Sequence, residues 1–207
     1  SLLIFIPVMG SIAMLLVAKA GINGREELYK KIALGATGIQ LLLSAILYFK
    51  FDPLLSVMES PFTVQVDWIS YFNIQYFIGV DGLSMPMVLL TAFLSFICIL
   101  ISWNIKKQPL GYFSLFLLLD AGMMGVFLSL DFFLFYIFWE VMLLPMYFLI
   151  GMWGGPKRHY AAIKFFLYTL FGSVFMLLGM ISLYFYSGAE TFNLITLIQY
   201  APTIDAQ

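Results

Sequence analysis

The sequence is poor in charge. Acidic and basic residues together make up 10% of the 207 residues, whereas hydrophobic residues make up 63%. A water-soluble domain of this length does not need so much apolar surface, so the composition excludes a soluble globular protein. The net charge is −1 and there is no basic patch, which excludes nucleic acid as a partner.

Cysteine and histidine are almost absent. Cys98 is the single cysteine, so the sequence offers no internal disulfide. His159 is the single histidine, which excludes a bis-histidine haem and a multi-histidine metal site within this chain. The CxxC, GxGxxG and GxxxxGK patterns are absent too. We therefore expect neither a cofactor nor a metal in this chain, and any electron-transfer or nucleotide chemistry must belong to other chains.

What the sequence has instead is six long apolar runs. A bilayer core of about 30 Å needs about 20 apolar residues of helix. Lipid offers no partner to free backbone groups, so each run should be helical. We predict an all-α membrane protein with one transmembrane domain over residues 1–207. The predicted spans are approximately residues 2–18, 32–49, 84–103, 111–130, 132–153 and 160–186.

Lysine and arginine residues are concentrated in alternate connections. The positive-inside rule places these connections in the cytoplasm or matrix. Both ends of the chain are then expected on the outer side of the membrane. The residues concerned are Lys19, Arg25, Lys30, Lys31, Lys106, Lys107, Lys157 and Arg158.

The long outer segment, residues 50–82, has the period of a strand. Apolar residues alternate with polar ones from Phe62 to Trp68, and a second run, Ile74–Val80, follows Asn73. We predict a small outer β-hairpin here.

A further amphipathic run, residues 191–200, places its apolar residues on one face and is predicted to form a short helix on the membrane surface. The chain then stops without a closing element. We interpret it as the N-terminal part of a longer protein.

Glu140 lies about nine residues into the fifth span, which corresponds to a depth of about 13 Å. A charged residue at such a depth costs roughly 2.5–3.5 kcal/mol on insertion scales. Pro145 removes the hydrogen bond to the carbonyl of Val141 and can kink the helix there. The functional interpretation is a proton-carrying carboxylate, and the alternative is a structural carboxylate paired with a lysine.

Asp120 lies near the middle of the fourth span, which a tight turn joins to the fifth. Asp120 and Glu140 are therefore expected at similar depths. If the two carboxylates face each other, they share protons and titrate as a pair. Alternatively, Asp120 forms a hydrogen bond with a neighbouring helix.

Two further ionisable residues lie towards the inner side. Lys164 is four or five residues into the sixth span and either takes part in proton movement or extends its amine to the interface. An offset of about 12 Å along the helix axes argues against a direct bond between Lys164 and Glu140. Histidine side chains in general can exchange protons near neutral pH, so His159 could help protons to enter; the alternative is an interfacial loop residue.

Several stretches resemble one known family. They are the run from Gly125 to Ile150 that contains FWEVMLLPMYFLI, the DGLS motif at 81–84, KFFLYT at 164–169 and Ile4–Pro7. Together they resemble the antiporter-like membrane subunit of complex I called chain M, or chain 4 in organelles. The DGLS motif is less specific because subunits of cation/proton antiporters share it.

The resemblance implies a subunit of about 14 transmembrane helices, of which this chain would supply the first six. It implies a non-redox subunit that translocates protons while partner subunits reduce quinone. Glu140 would be the key glutamate, acting with a lysine on a seventh helix that this chain lacks. Flavin, iron–sulfur clusters and quinone would be held by other subunits, in a bacterial or organelle inner membrane.

Three rival functions remain open. The first is a subunit of a multisubunit sodium/proton antiporter, and the second is the membrane arm of a ferredoxin- or hydrogenase-linked complex. The third is a purely structural membrane subunit.

Overall fold

The computed structural model describes residues 1–20, 25–52, 61–188 and 190–200. It contains seven α-helices and a two-stranded sheet within these ranges. The elements in chain order are α1 Leu2–Lys19, α2 Arg25–Lys50, β1 Val64–Ile69, β2 Ile74–Ile78, α3 Ser84–Ile101, α4 Pro109–Leu128, α5 Phe132–Trp153, α6 Arg158–Tyr186 and α7 Leu194–Tyr200.

Six helices in the described part of the chain, α1 to α6, are long and apolar enough to cross a membrane. This confirms the predicted fold class. The helix α2 begins at Arg25, earlier than the apolar run at 32, because charged residues with good helix propensity extend it beyond the span. The middle of the outer segment, residues 53–60, lies outside the described residues.

The helices do not pack simply in chain order. The helix α1 contacts α2 and α4, α2 contacts α3, and α4 also reaches α2 and α3. The helix α5 packs between α4 and α6. The first four helices therefore form a compact group, and α5 and α6 extend from one side of it.

Glycine permits the close contact between α4 and α5. A Cβ atom on Gly125 would lie 2.2–2.6 Å from three ring atoms of Phe138, and one on Gly122 would lie 2.5 Å from Cγ of Met142. These distances leave no room for a side chain. The face of α4 that carries Gly122 and Gly125 is thus the face that meets α5.

The predicted β-hairpin is confirmed, and it is part of a larger backbone network. The two strands pair antiparallel, with Asn73 in the left-handed conformation (φ 50°) after the short turn between them. The α4–α5 turn joins β2 through Leu130 N–H and the Phe77 carbonyl at 2.8 Å. On the other side of the turn, Leu194 N–H donates to the Leu130 carbonyl at 2.9 Å. We call this end of the molecule the hairpin side and the opposite end the lysine-rich side.

The start of α5 is fixed by its N-cap. The Asp131 carboxylate accepts hydrogen bonds from the N–H groups of Phe133 and Leu134 at 2.9 and 3.0 Å. Its second oxygen accepts from Gln75 N–H of β2 at 3.2 Å. One carboxylate therefore sets the first turn of α5 and ties it to the hairpin.

On the lysine-rich side, α5 is held by the connection before α4. Trp153 donates its indole N–H to the Lys107 carbonyl at 2.7 Å. The Lys107 amine donates to the Met152 carbonyl at 2.9 Å. Because hydrogen bonds fix both ends of α5, the position of each of its residues between the hairpin side and the lysine-rich side is defined.

Candidate functional site

Glu140 is the ninth residue of α5. At 1.5 Å per residue it lies about 12 Å from the hairpin-side end of the helix and about 20 Å from the other end. Its side chain is half-buried, and its Oε1 atom is buried without a hydrogen-bond partner among the described residues. The structure therefore places a carboxylate with a free acceptor inside the apolar layer.

The face of α5 that carries Glu140 meets α6. Glu140 is two residues from both Phe138 and Met142, which contact α4, so at about 100° per residue it lies on the opposite face. Tyr147, two turns further along, packs against Phe166 of α6 with ring centroids 5.6 Å apart. The carboxylate is thus directed away from the first four helices.

Tyr136 is the residue one turn before Glu140. Its side chain interacts with the Glu140 carboxylate and with Ser173, a buried residue of α6. The spacing of four residues places Tyr136 and Glu140 next to each other on the helix surface. Glu140, Tyr136 and Ser173 therefore form a small polar group between α5 and α6, which we call the Glu140 site.

Pro145 is buried within α5, and the helix continues through it to Trp153. The proline nitrogen carries no hydrogen, so the Val141 carbonyl lacks its usual partner four residues on. This free carbonyl lies next in sequence to Glu140. The kink at Pro145 stays a prediction.

Asp120 lies on the other side of α4 from α5. It is two residues from Gly122 and five from Gly125, so at about 100° per residue it points roughly opposite to both. Its Oδ1 atom accepts a hydrogen bond from the Ser95 hydroxyl of α3 at 2.6 Å. Asp120 and Glu140 therefore do not face each other, and the shared-proton pair that facing carboxylates would form is absent.

Lys164 and His159 are both exposed. Lys164 is two residues from Ala162, whose Cβ lies 3.6 Å from the position of a Cβ on Gly151 of α5. Lys164 therefore points away from α5, with its amine 5.8 and 5.7 Å from the ring centres of Tyr160 and Tyr168. Within the described residues it forms no ion pair with Glu140.

No group of three His, Cys, Asp or Glu side chains that could hold a metal ion occurs in the described ranges. The arrangement of the Glu140 site suits proton exchange instead, because each of its three side chains carries a hydroxyl or a carboxylate.

Two family profiles match this chain. Residues 31–131 match the one described as "NADH-ubiquinone oxidoreductase chain 4, amino terminus". Residues 129–206 match the one described as "NADH:quinone oxidoreductase/Mrp antiporter, TM". NADH-quinone oxidoreductase subunit M of Rhodobacter capsulatus is 38% identical over 200 residues, which are 97% of this chain and 38% of the relative. NADH-ubiquinone oxidoreductase chain 4 of Mycosarcoma maydis is 40% identical over 199 residues, which are 95% of this chain and 40% of the relative.

This chain is similar to the subunit M family, whose members are also called chain 4. It spans about two fifths of the length of these curated relatives. A chain in the structure of respiratory complex I from Thermus thermophilus with bound NADH superposes with a TM-score of 0.81 and 25% identity. That match covers 96% of this chain and 38% of the other.

The two profile matches meet at the α4–α5 turn, residues 129–131. Asp120 falls within the first matched range, and Glu140 and Lys164 fall within the second. The two carboxylates thus lie in separately matched parts of the chain as well as on opposite sides of α4.

Sequence reasoning missed Tyr136 and Ser173 at the Glu140 site. A tyrosine four residues before an intramembrane glutamate is a local signal that could have been used. Ser173 could not have been found in that way, because its proximity to Tyr136 depends on how α5 and α6 are packed.

Proposed function

We propose that this chain is part of a proton-translocating membrane-arm subunit of a complex I-type NADH:quinone oxidoreductase. In this proposal it couples quinone reduction by other subunits to proton movement across the membrane. It carries no redox group, and flavin, iron–sulfur clusters and quinone are bound by partner subunits. The complex lies in a bacterial or organelle inner membrane with the lysine-rich side facing inwards.

The observation that carries this proposal is the half-buried carboxylate of Glu140 inside α5. An intramembrane carboxylate is costly and is expected to face protein or water rather than lipid. Glu140 meets this expectation because it faces α6 and retains an unmatched buried oxygen. Such a group can bind a proton, or attract a cation, without first breaking a strong contact.

Proton transfer at the Glu140 site requires that the carboxyl group alternates between two states. It takes a proton from water on one side, and the O–H bond forms on a carboxylate oxygen. It later returns the proton to water on the other side when a nearby positive charge stabilises the carboxylate. Tyr136, which lies beside both the carboxylate and Ser173, keeps the carboxylate oriented towards α6 in this proposal.

Lys164 and His159 assist on the lysine-rich side in this proposal. Both side chains are exposed among the described residues and are accessible to water. Lys164 lies between two tyrosine rings, which stabilise its charge near the interface.

The experiment is Glu140→Gln in the full-length subunit within the assembled complex. The amide keeps the size of the side chain but cannot carry the proton. We expect NADH-driven proton pumping to fall by tenfold or more, measured as acidification of the lumen of sealed inverted vesicles, while the complex still assembles. Glu26→Gln, at an exposed glutamate on the lysine-rich side, is the matched control and should pump normally. Normal pumping with normal quinone reduction in Glu140→Gln would overturn the proposed role.

The match of residues 31–131 to a chain 4 profile favours complex I over the antiporter and the ferredoxin- or hydrogenase-linked alternatives. Co-purification distinguishes them, because the complex I proposal requires iron–sulfur and flavin subunits to accompany the full-length protein. A purely structural subunit would instead lose assembly in Glu140→Gln and retain coupling in whatever complex formed.

A further inference from the structure

The core of the first four helices has a polar layer at mid-depth. Two apolar clusters fill the hairpin side and the lysine-rich side of this core, around Val88 and Phe113 respectively. Between them, fully or almost fully buried polar side chains come from three helices. They are Thr37, Gln40 and Ser44 of α2, Ser95 of α3 and Asp120 of α4.

Asp120 is at the centre of this layer. Its exposed fraction is 0%, and the Ser95 hydroxyl donates to its Oδ1 atom at 2.6 Å. The Gln40 side chain interacts with it from α2. The Oδ2 atom of Asp120 is buried and has no hydrogen-bond partner among the described residues.

Gln40 is held against α1 by a backbone group that a proline leaves free. The Leu3 carbonyl would normally accept from the N–H group four residues on, but that residue is Pro7 and has none. The Gln40 amide donates to the Leu3 carbonyl at 3.2 Å instead. The remaining Gln40 atom, Oε1, is a second buried acceptor without a partner in the described ranges.

No lysine or arginine side chain described on the helices packed around this layer reaches it. On α1 the only lysine is Lys19, at the far end of the helix. On α2, Lys31 is nine residues from Gln40 and is paired with Glu27, whereas Lys30 and Lys50 are each ten residues away. Nine or ten residues of helix correspond to about 13–15 Å. The helices α3 and α4 carry no lysine or arginine.

Other titratable side chains that these helices carry are peripheral to the layer. Glu26, Glu27 and Tyr29 lie in the first turns of α2 and Tyr112 in the first turn of α4, both on the lysine-rich side, and Tyr48 lies at the opposite end of α2. Cys98 of α3 is exposed. An ionised Asp120 would therefore be a buried charge without a counterion, which is among the least favourable states in a protein.

We propose that Asp120, Gln40 and Ser95 form a second proton-binding site, closed to water and separate from Glu140, in which Asp120 carries its proton permanently. The proton comes from water during folding, and a new O–H bond forms on Oδ2. Protonation supplies a hydrogen-bond donor in a layer that contains two buried acceptors without a partner among the described residues, Asp120 Oδ2 and Gln40 Oε1. It also removes the uncompensated charge and needs no added volume, unlike a metal cation.

The Asp120 site and the Glu140 site differ in what happens to the bound proton. The Glu140 carboxylate exchanges its proton in the proposed function, whereas the proton on Asp120 stays bound and holds α2, α3 and α4 together. The inference does not rest on the proposed function, because it concerns a resident proton and not a transported one.

Infrared spectroscopy of the purified complex tests this proposal directly. The full-length protein is assembled with ¹³C-labelled aspartate, so that aspartic acid carbonyl bands separate from those of glutamic acid. At neutral pH, the wild-type spectrum minus the Asp120→Asn spectrum should show the carbonyl stretch of a protonated aspartic acid. The same band should remain in Glu140→Gln. A difference that shows carboxylate bands instead would overturn the proposal.

Ser95→Ala provides a second infrared measurement, which is informative even if the Asp120→Asn variant does not fold. Loss of the hydroxyl that donates to Oδ1 should move the same band to higher frequency without removing it. An unchanged aspartic acid band in Ser95→Ala contradicts the proposed site. The spectra are recorded with and without sodium, and a protonated band that disappears when sodium is added would identify a sodium site and overturn the resident proton.

Discussion

Glu140 and Asp120 are both carboxylates near the middle of neighbouring apolar helices, but their surroundings differ. Glu140 is half-buried between α5 and α6, with Tyr136 beside it. Asp120 is completely buried among α2, α3 and α4, with Ser95 bonded to it. The two lie on opposite sides of the α4–α5 contact. Depth in the membrane therefore does not decide what an intramembrane carboxylate does, because accessibility and partners differ at the same depth.

Asp120→Leu should give the largest loss of stability. It leaves the Ser95 hydroxyl and the Gln40 amide without their polar neighbour, and each buried unsatisfied group costs about 1–3 kcal/mol. We expect the stability of the subunit to fall by about 2–5 kcal/mol, measured as a lower melting temperature of the purified complex and a lower yield of assembled complex.

Glu140→Leu is the matched comparison, because it also replaces an intramembrane carboxylate by leucine, but at the half-buried site between α5 and α6. Glu140 is half-buried and its Oε1 atom has no partner to lose, so the change in stability should stay within about 1 kcal/mol. Equal losses in the two variants would show that the two carboxylates do not differ in the way proposed.

Gly125→Ala should give the next largest effect, because it attacks the contact that separates the two sites. The added Cβ would lie 2.2–2.6 Å from the ring of Phe138, so α4 and α5 must move apart. Overpacking of this kind typically costs about 1–3 kcal/mol. Proton pumping should fall as well, because the orientation of α5 sets the position of Glu140.

Gly35→Ala is the control for that variant. A Cβ on Gly35 of α2 would meet no heavy atom within 4 Å. The higher helix propensity of alanine should then leave stability unchanged or raise it by up to about 1 kcal/mol. If both glycine variants behave alike, helix propensity and not the α4–α5 contact explains the result.

The sequence predicted the helices and the hairpin, because each has a local signal. Long apolar runs indicate membrane spans, and alternation of apolar and polar residues indicates strands. It also placed Asp120 and Glu140 at similar depths by counting residues from the turn. Each of these features depends only on the order and spacing of residues along the chain.

The sequence could not show which face of each helix packs against its neighbours. Which side of α4 carries Asp120 relative to α5 depends on the rotation of each helix, and this is set by Gly122 and Gly125 on the far side. The pairing of the α4–α5 turn with β2 and residues 192–194 was missed for the same reason. One residue could have been used better, because Pro7 reveals a free carbonyl at Leu3 that needs a donor.

Asp131→Ala should cost about 1–2 kcal/mol, as is typical for the loss of an N-cap. The variant removes the acceptor of three backbone N–H groups, those of Phe133, Leu134 and Gln75. It should loosen the hairpin as well as the start of α5, measured as faster amide hydrogen exchange in β2. Asp131→Asn keeps one side-chain oxygen and should cost less. Unchanged exchange in β2 in Asp131→Ala would contradict the link between hairpin and helix.

Asp131 also makes a pH-dependent contribution to stability. Burial raises the pKa of its carboxyl above the ordinary value, and its backbone hydrogen bonds only partly oppose this. The folded state then binds the proton more tightly than the unfolded state. Wild-type stability relative to Asp131→Asn should therefore be highest at acidic pH and fall as pH rises through the folded-state pKa. A difference that grows with rising pH would reverse the sign and contradict the burial argument.

The smallest predicted effect is the coupling between Pro7 and Gln40. Gln40→Leu removes the donor to the Leu3 carbonyl, and Pro7 cannot replace it. In a Pro7→Ala background the new N–H at position 7 can donate to that carbonyl. Gln40→Leu should then cost about 0.5–1.5 kcal/mol less than it does alone, as measured by a double-mutant cycle on the melting of the complex. Strict additivity would mean that Gln40 acts through Asp120 alone, and the polar layer would then be anchored to α4 and not to α1.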